Sequence, residues 1–207
     1  TQIASLSTTQ VRGLSTTFVS GLSDSQVAAL TTTQLGSLTT TSLSALEASQ
    51  TAAMTTTQVR ALSTTQLTAL NATDVGEFTT AQVAALSNTQ AQSLSSTQLG
   101  GFADTQIQAL TTTQLASMST TQIRNFSTEI LAVMDTTQIA GLTATQVAAI
   151  STTNLNALDS SKLNALSATQ VRGLTTTQIS SLDSTALSAL DGTRYGLTDA
   201  LEATVVP

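Results

Sequence analysis

The chain has 207 residues, of which 40% are apolar, 9% charged and 2% aromatic, and its formal net charge is −6. Its six basic residues are scattered and form no patch that could neutralise phosphates, and no apolar run approaches the ~20 residues of a membrane span, which argues against nucleic acid as a partner and against membrane insertion. With neither His nor Cys, it lacks the commonest general base, thiol nucleophiles, disulfides and most transition-metal sites, so no enzymatic activity and no cofactor are expected.

An eight-residue pattern begins at Leu6 and recurs without insertion or deletion to about Leu190. Position 1 is Leu6, position 2 Ser7, position 5 Gln10, position 6 Val11 and position 8 Gly13. Internal repetition of this kind overrides a length-based domain count. Residues 1–190 read as one octapeptide solenoid of about 24 repeats, and residues 191–207 as an irregular cap or a junction to a following domain. Thr1 falls mid-octad, so the chain reads as a segment of a longer array.

Taken in order, the first octads already carry the whole grammar. Ser7, Ser15 and Thr31 occupy position 2, which is Ser in ten of 24 octads, Thr in seven, Asp in four and Asn in one. These are N-cap residues, whose side-chain oxygens accept from free N–H groups of a helix's first turn. Position 5 is Gln in 16 of the 24, which completes the S/T-x-x-Q capping box, and the apolar residues at positions 1 and 6 supply the hydrophobic staple. A helix starting after Ser7 must stop near Gly13, because Leu14 and Ser15 start the next. Small residues at position 8 suit the corner, where Gly can take the positive φ of a helix end. The expected core is the large apolar side chain of the first position, as in Leu14, Leu62, Phe78, Phe102 and Phe126, with that of the sixth position, as in Val27.

The fold class expected is all-α: a superhelical α-solenoid of very short capped helices, one per octad. The alternative is a β-solenoid, since Thr, Val and Ile favour strands, although positions 1 and 6 have opposite parity and a strand gives no reason for the capping pattern. One continuous helix fails because eight residues at ~100° leave the leucines spiralling around every side. Burying the position 1 and 6 side chains returns ~1.5–3 kcal/mol each, whereas ordering eight backbones costs roughly 1–2 kcal/mol per residue, so single octads need neighbours. Phe78, Phe102 and Phe126, and likewise Asp135, Asp159 and Asp183, recur at every third octad, which predicts three octads per turn.

Later octads hold the few residues with other chemistry. Glu77 sits at an otherwise small position, as an outward corner or as a partner for Arg60 or Arg124. Arg12, Arg60, Arg124 and Arg172 share position 7, which should face solvent. Asp135, Asp159 and Asp183 read as N-caps rather than as a calcium column, and no D-x-[DN]-x-[DN]-G loop is present. Thr at positions 3 and 4 would form exposed columns, either plain soluble spacers or a regular binding face. Tyr195 and the Thr198–Val206 stretch fall where the pattern decays.

The octads 110–117 (LTTTQLAS) and 142–149 (LTATQVAA) resemble repeat tracts in very large secreted surface proteins of Gram-negative bacteria, often described as adhesin-like, haemagglutinin-like or type I-secreted. The resemblance implies an extracellular structural or adhesive segment: a stalk, a spacer or a self-associating fibre, with surface glycan as a further possible partner. The other function weighed is a module binding a repetitive target such as glycan, mineral or ice.

Overall fold

A computed structural model describes residues 2–190 of the chain; the expectations for Tyr195, for residues 198–206 and for a C-terminal cap or junction lie outside the described residues. Among the described residues there are 23 α-helices of four to six residues, preceded by the 3₁₀ turn Gln2–Ser5, and no strands. The all-α reading holds, and the β-solenoid alternative does not.

Each octad folds as its spacing requires. In the first, Val11 N–H donates to the Ser7 carbonyl at 2.9 Å and Leu14 N–H to the Val11 carbonyl at 3.2 Å, so about one and a half turns of helix close before the next staple residue arrives. The corner is then made by two extended residues. Leu38 has φ −58°, ψ 141° and Thr39 has φ −67°, ψ 156°. Because positions 1 and 2 turn the chain, position 8 needs no left-handed residue: Gly13, Gly21, Gly141 and Gly173 all have φ between −85° and −77°. The expected positive φ at the corner glycines is therefore corrected.

What position 8 does require is space. A Cβ on Gly101 would lie 2.3 Å from the Ala72 carbonyl oxygen, and one on Gly141 would lie 2.8 Å from Thr112 Cβ. Each is a contact with position 3 of the octad three repeats earlier. Small residues at position 8 let stacked helices approach, and that is their structural role.

The chain divides into two compact units, Thr1–Ala109 and Leu110–Pro207, each described by itself. In the first, the helix Thr8–Arg12 packs on Thr32–Ser37, that on Thr56–Ala61, then Thr80–Ala85, then Asp104–Ala109. A second column runs through Thr16–Ser20, Thr40–Leu43, Thr64–Ala69 and Asn88–Ser93. The third pairs Asp24–Ala28 with Ala48–Ala53, and Ala72–Gly76 with Ser96–Leu99. The second unit shows the same rule, for example Thr112–Ser117, Thr136–Ala140, Ser160–Asn164 and Ser184–Ala189. Within each unit, the helices that pack closely stand three octads apart, so a turn is three octads.

Position 6 is the innermost, with Val27, Leu35, Val59 and Leu155 all at 0% exposure. Leu62, Phe78, Phe102 and Phe126 at position 1 are buried as expected. Leu14 is the exception: it is only half-buried, because it lies in the first described turn, on which no earlier turn is stacked.

Candidate functional site

The N-caps are where the sequence places them. Gln10 N–H donates to Ser7 Oγ at 3.2 Å, Phe18 N–H to Ser15 Oγ at 3.2 Å, and Gln34 N–H to Thr31 Oγ1 at 3.1 Å. Asp135, Asp159 and Asp183 accept from Gln138, Lys162 and Ala186 N–H at 2.7, 3.0 and 2.8 Å. Among the described residues no group of three or more acidic side chains is arranged to hold a metal ion.

The arrangement that sequence reasoning missed is the second half of the position 5 glutamine. Gln82 Oε1 accepts Thr79 N–H at 2.7 Å, completing the capping box, while its Nε2 donates to the carbonyls of Thr51, Ala52 and Met54 at 3.0, 3.2 and 2.6 Å. Gln58 does the same toward Val27, Ala28 and Leu30, and Gln146 toward Leu115, Ala116 and Met118. The acceptors lie at the corner of the preceding turn, where the carbonyls at a helix end outnumber its N–H donors: Thr51, for example, otherwise accepts only the Met54 N–H, at 3.2 Å. These glutamines are buried, Gln58 and Gln82 at 1–2% exposure, and no buried side-chain nitrogen or oxygen among the described residues lacks a partner. One side chain thus starts its own helix and finishes another one turn below.

One available signal pointed to this. A capping box accepts Glu as well as Gln, and an acid at a helix N-terminus is favoured by the macrodipole, yet position 5 is never Glu. Only the amide has both the acceptor and the donor that the site needs.

At three of the positions where Gln is replaced, donation persists by other chemistry. Asn154 Nδ2 donates to the Phe126 carbonyl at 2.7 Å and Ser42 Oγ to the Leu14 carbonyl at 3.2 Å. Lys162 sends Nζ to the Ala132 carbonyl and pairs with Asp159 at 3.1 Å. The Ser161 hydroxyl and the Lys162 N–H, with the ammonium adding to them, hold the Asp159 carboxyl down at about 2.

Glu77 is half-buried, and its surroundings correct the expectation of an arginine partner. Burial, then the carboxylates of Asp74 and Glu47, push its carboxyl above the usual range, opposed by a hydrogen bond with Thr51. Arg12, Arg60, Arg124 and Arg172 are exposed, as position 7 should be. Position 4, mostly Thr or Ser, is exposed in every described octad, so a hydroxyl-rich surface follows each turn. Phe18, 49% exposed at position 5 of the first turn, borders a groove of about 240 Å³ with Ile3, Leu6 and Leu22. No helix among the described residues is long and apolar enough to cross a membrane.

Stacked capped helices that repeat every octad and are tied turn to turn by a buried amide define an α-solenoid repeat protein. The ALTTAQ repeat model matches residues 3–40, 27–64, 51–88 and 107–144, together more than half of the chain. The chain belongs to the ALTTAQ repeat family. The six letters of that description fall on positions 8, 1, 2, 3, 4 and 5, the corner, the staple, the cap and the bridging glutamine, as in Ala109 to Gln114. The first three matches begin three octads apart, one turn of the coil. A comparison with curated proteins gives no match.

Proposed function

We propose that the chain is a structural repeat segment of a bacterial extracellular surface protein, acting as a stalk or spacer. The observation that carries this reading is the buried glutamine bridge between consecutive turns. It stabilises a coil of arbitrary length while leaving the surface sparsely charged and hydroxyl-rich, a composition suited to holding something at a distance. No catalytic role enters the proposal. The bacterial and extracellular parts rest on the resemblance of the octads to tracts in secreted surface proteins.

Small-angle scattering of chains lengthened by three octads and by six tests it. A spacer gains the same increment in maximum dimension at each step, and a chain that grows only in girth overturns the reading. The exposed Thr and Ser of position 4 favour a second reading, a module for a repetitive target such as glycan, mineral or ice. Saturable retention on a glycan array, or ice-crystal shaping on cooling, would select it.

A further inference from the structure

Octad 182–189 lacks the side chain that bridges turns elsewhere. Its position 5 is Ala186, which has neither an acceptor for the position 2 N–H nor a donor for the carbonyls below. The helix is nonetheless seated: Ser184–Ala189 packs closely on Ser160–Asn164, and Ala186 is buried. Asp183 keeps its own half of the helix start, its Oδ1 accepting Ala186 N–H at 2.8 Å. The other half comes from the turn below. Asn156 Oδ1 accepts Asp183 N–H at 3.0 Å, and Nδ2 of the same side chain donates to the Ser181 carbonyl at 2.8 Å.

Asn156 stands half-buried at position 7 of octad 150–157, where most octads have a short side chain or an exposed arginine. Its two bonds are those of a bridging glutamine with the direction reversed: the amide belongs to the earlier turn and reaches forward. The register is not confined to this corner. Ser44 Oγ, also at position 7, donates to the Ala69 carbonyl at 3.4 Å, 25 residues on, the same separation as from Asn156 to Ser181. The sequence carries an independent trace of the same rule. Position 7 is Asn only at Asn156 and Asn164, and 30 residues after each, position 5 is Ala186 and Arg194 instead of Gln; Arg194 lies outside the described residues.

We infer that an asparagine at position 7 is a forward latch that replaces the position 5 glutamine of the octad 30 residues later, and that Asn156 holds octad 182–189 to the turn beneath it in this way. The chemistry sets the requirement. One side chain must accept an N–H and donate to a carbonyl at the same corner, and an amide does both with separate atoms while carrying no charge. A glutamine at position 5 reaches the corner from above, an asparagine at position 7 from below, and either one ties the two turns together. The latch does not depend on the spacer reading, since it concerns how turns are held and not what the coil serves.

Hydrogen exchange of the full chain tests the latch locally. Asn156→Ala, which suits the helix Thr152–Asn156 by propensity, should lower protection in peptides covering 182–190 roughly tenfold through the loss of two hydrogen bonds. Protection of Thr112–Ser117 should not change. Asn156→Ala/Ala186→Gln, which supplies the repeat's own bridge, should recover the loss. Transplantation tests the register. Gln146→Ala removes the acceptor of Thr143 N–H and the donor to the Leu115 and Met118 carbonyls, and should lower the melting temperature. Adding Ala116→Asn, at an exposed position 7 lying 30 residues earlier, should restore at least half of that loss. Unchanged protection in Asn156→Ala, no recovery in Asn156→Ala/Ala186→Gln, or no recovery in Ala116→Asn/Gln146→Ala overturns the proposal.

Discussion

Gln58 Nε2 lies 2.7 Å from the Leu30 carbonyl oxygen while Oε1 of the same side chain lies 2.7 Å from Thr55 N. Local helix initiation and turn-to-turn cohesion are thus one interaction. Replacing a bridging glutamine must damage both, and an acid is a worse replacement than its shape suggests.

At Gln82, Ala should cost about 2–4 kcal/mol, because the capping bond is lost, the buried Met54 carbonyl loses the Nε2 donor and the Thr51 carbonyl keeps only the Met54 N–H. Gln82→Glu keeps the capping acceptor but places a second oxygen against those carbonyls. It should be at least as destabilising near pH 7 and recover below about pH 4 as the carboxyl protonates and can donate. Urea midpoints at the two pH values check this; equal losses for Glu at both would count against the bridge.

The cap and its neighbour separate cleanly. Thr55→Ala removes the oxygen that accepts Gln58 N–H at 3.1 Å and should cost ~0.5–2 kcal/mol. Thr56→Ala, at an exposed spacer position, should stay within about 0.5 kcal/mol. Equal effects in thermal denaturation would mean that the hydroxyl at position 2 is no cap.

Glycines test the corner. A Cβ at Gly101 meets the Ala72 carbonyl, so Gly101→Ala should cost roughly 1–3 kcal/mol. Gly36 lies inside the helix Thr32–Ser37 with nothing within 4 Å of its Cβ position, and Gly36→Ala should gain about 0.5–1 kcal/mol. Denaturation midpoints that move in the same direction for both would contradict the close approach of stacked helices.

Asp159 gives a pH signature of opposite sign to that of Glu77. Its carboxyl is held at about 2, so its contribution is fully present above the ordinary aspartate range and disappears as pH falls through about 2. Because the side chain is 54% exposed, salt should weaken the effect. Asp159→Asn should lower the melting temperature slightly at pH 7 and not at all near pH 1.5; a variant equally affected at both would rule out the charged form as the source.

Much of this was legible in the octad because the relevant partners are local. Ser7, Gln10 and Val11 lie within one helix start, and their spacing dictates the cap, the box and the staple without reference to the rest of the chain. Three octads per turn was legible only because Phe78, Phe102 and Phe126 recur at every third octad. The Gln-to-carbonyl bridge was hidden, since the capping box already accounts for Gln at that spacing and the acceptors are backbone atoms that no residue type reveals. The corner was misjudged for a related reason: Gly at a helix end suggests a left-handed residue, but the turn is made by the extended backbone of Leu38 and Thr39. Glu77 read as a corner residue or an arginine partner: the octad spacing was enough for the corner, where it is the C-cap of Ala72–Gly76, whereas its neighbours Asp74, Glu47 and Thr51 come in part from stacking that spacing alone does not reveal.

The glutamine bridge also has a direction. Gln34 reaches back to Ile3, Ala4 and Leu6, and Gln178 to Val147 and Ile150. In every such bond the donor follows its acceptors in the chain. An octad emerging from a ribosome or a secretion channel with the N-terminus leading therefore finds its docking carbonyls already in place, and never waits for sequence still to come. The array can grow like a wound rope, each new turn latched to the last as it arrives, and chain of this kind should accumulate little unlatched length however many octads follow.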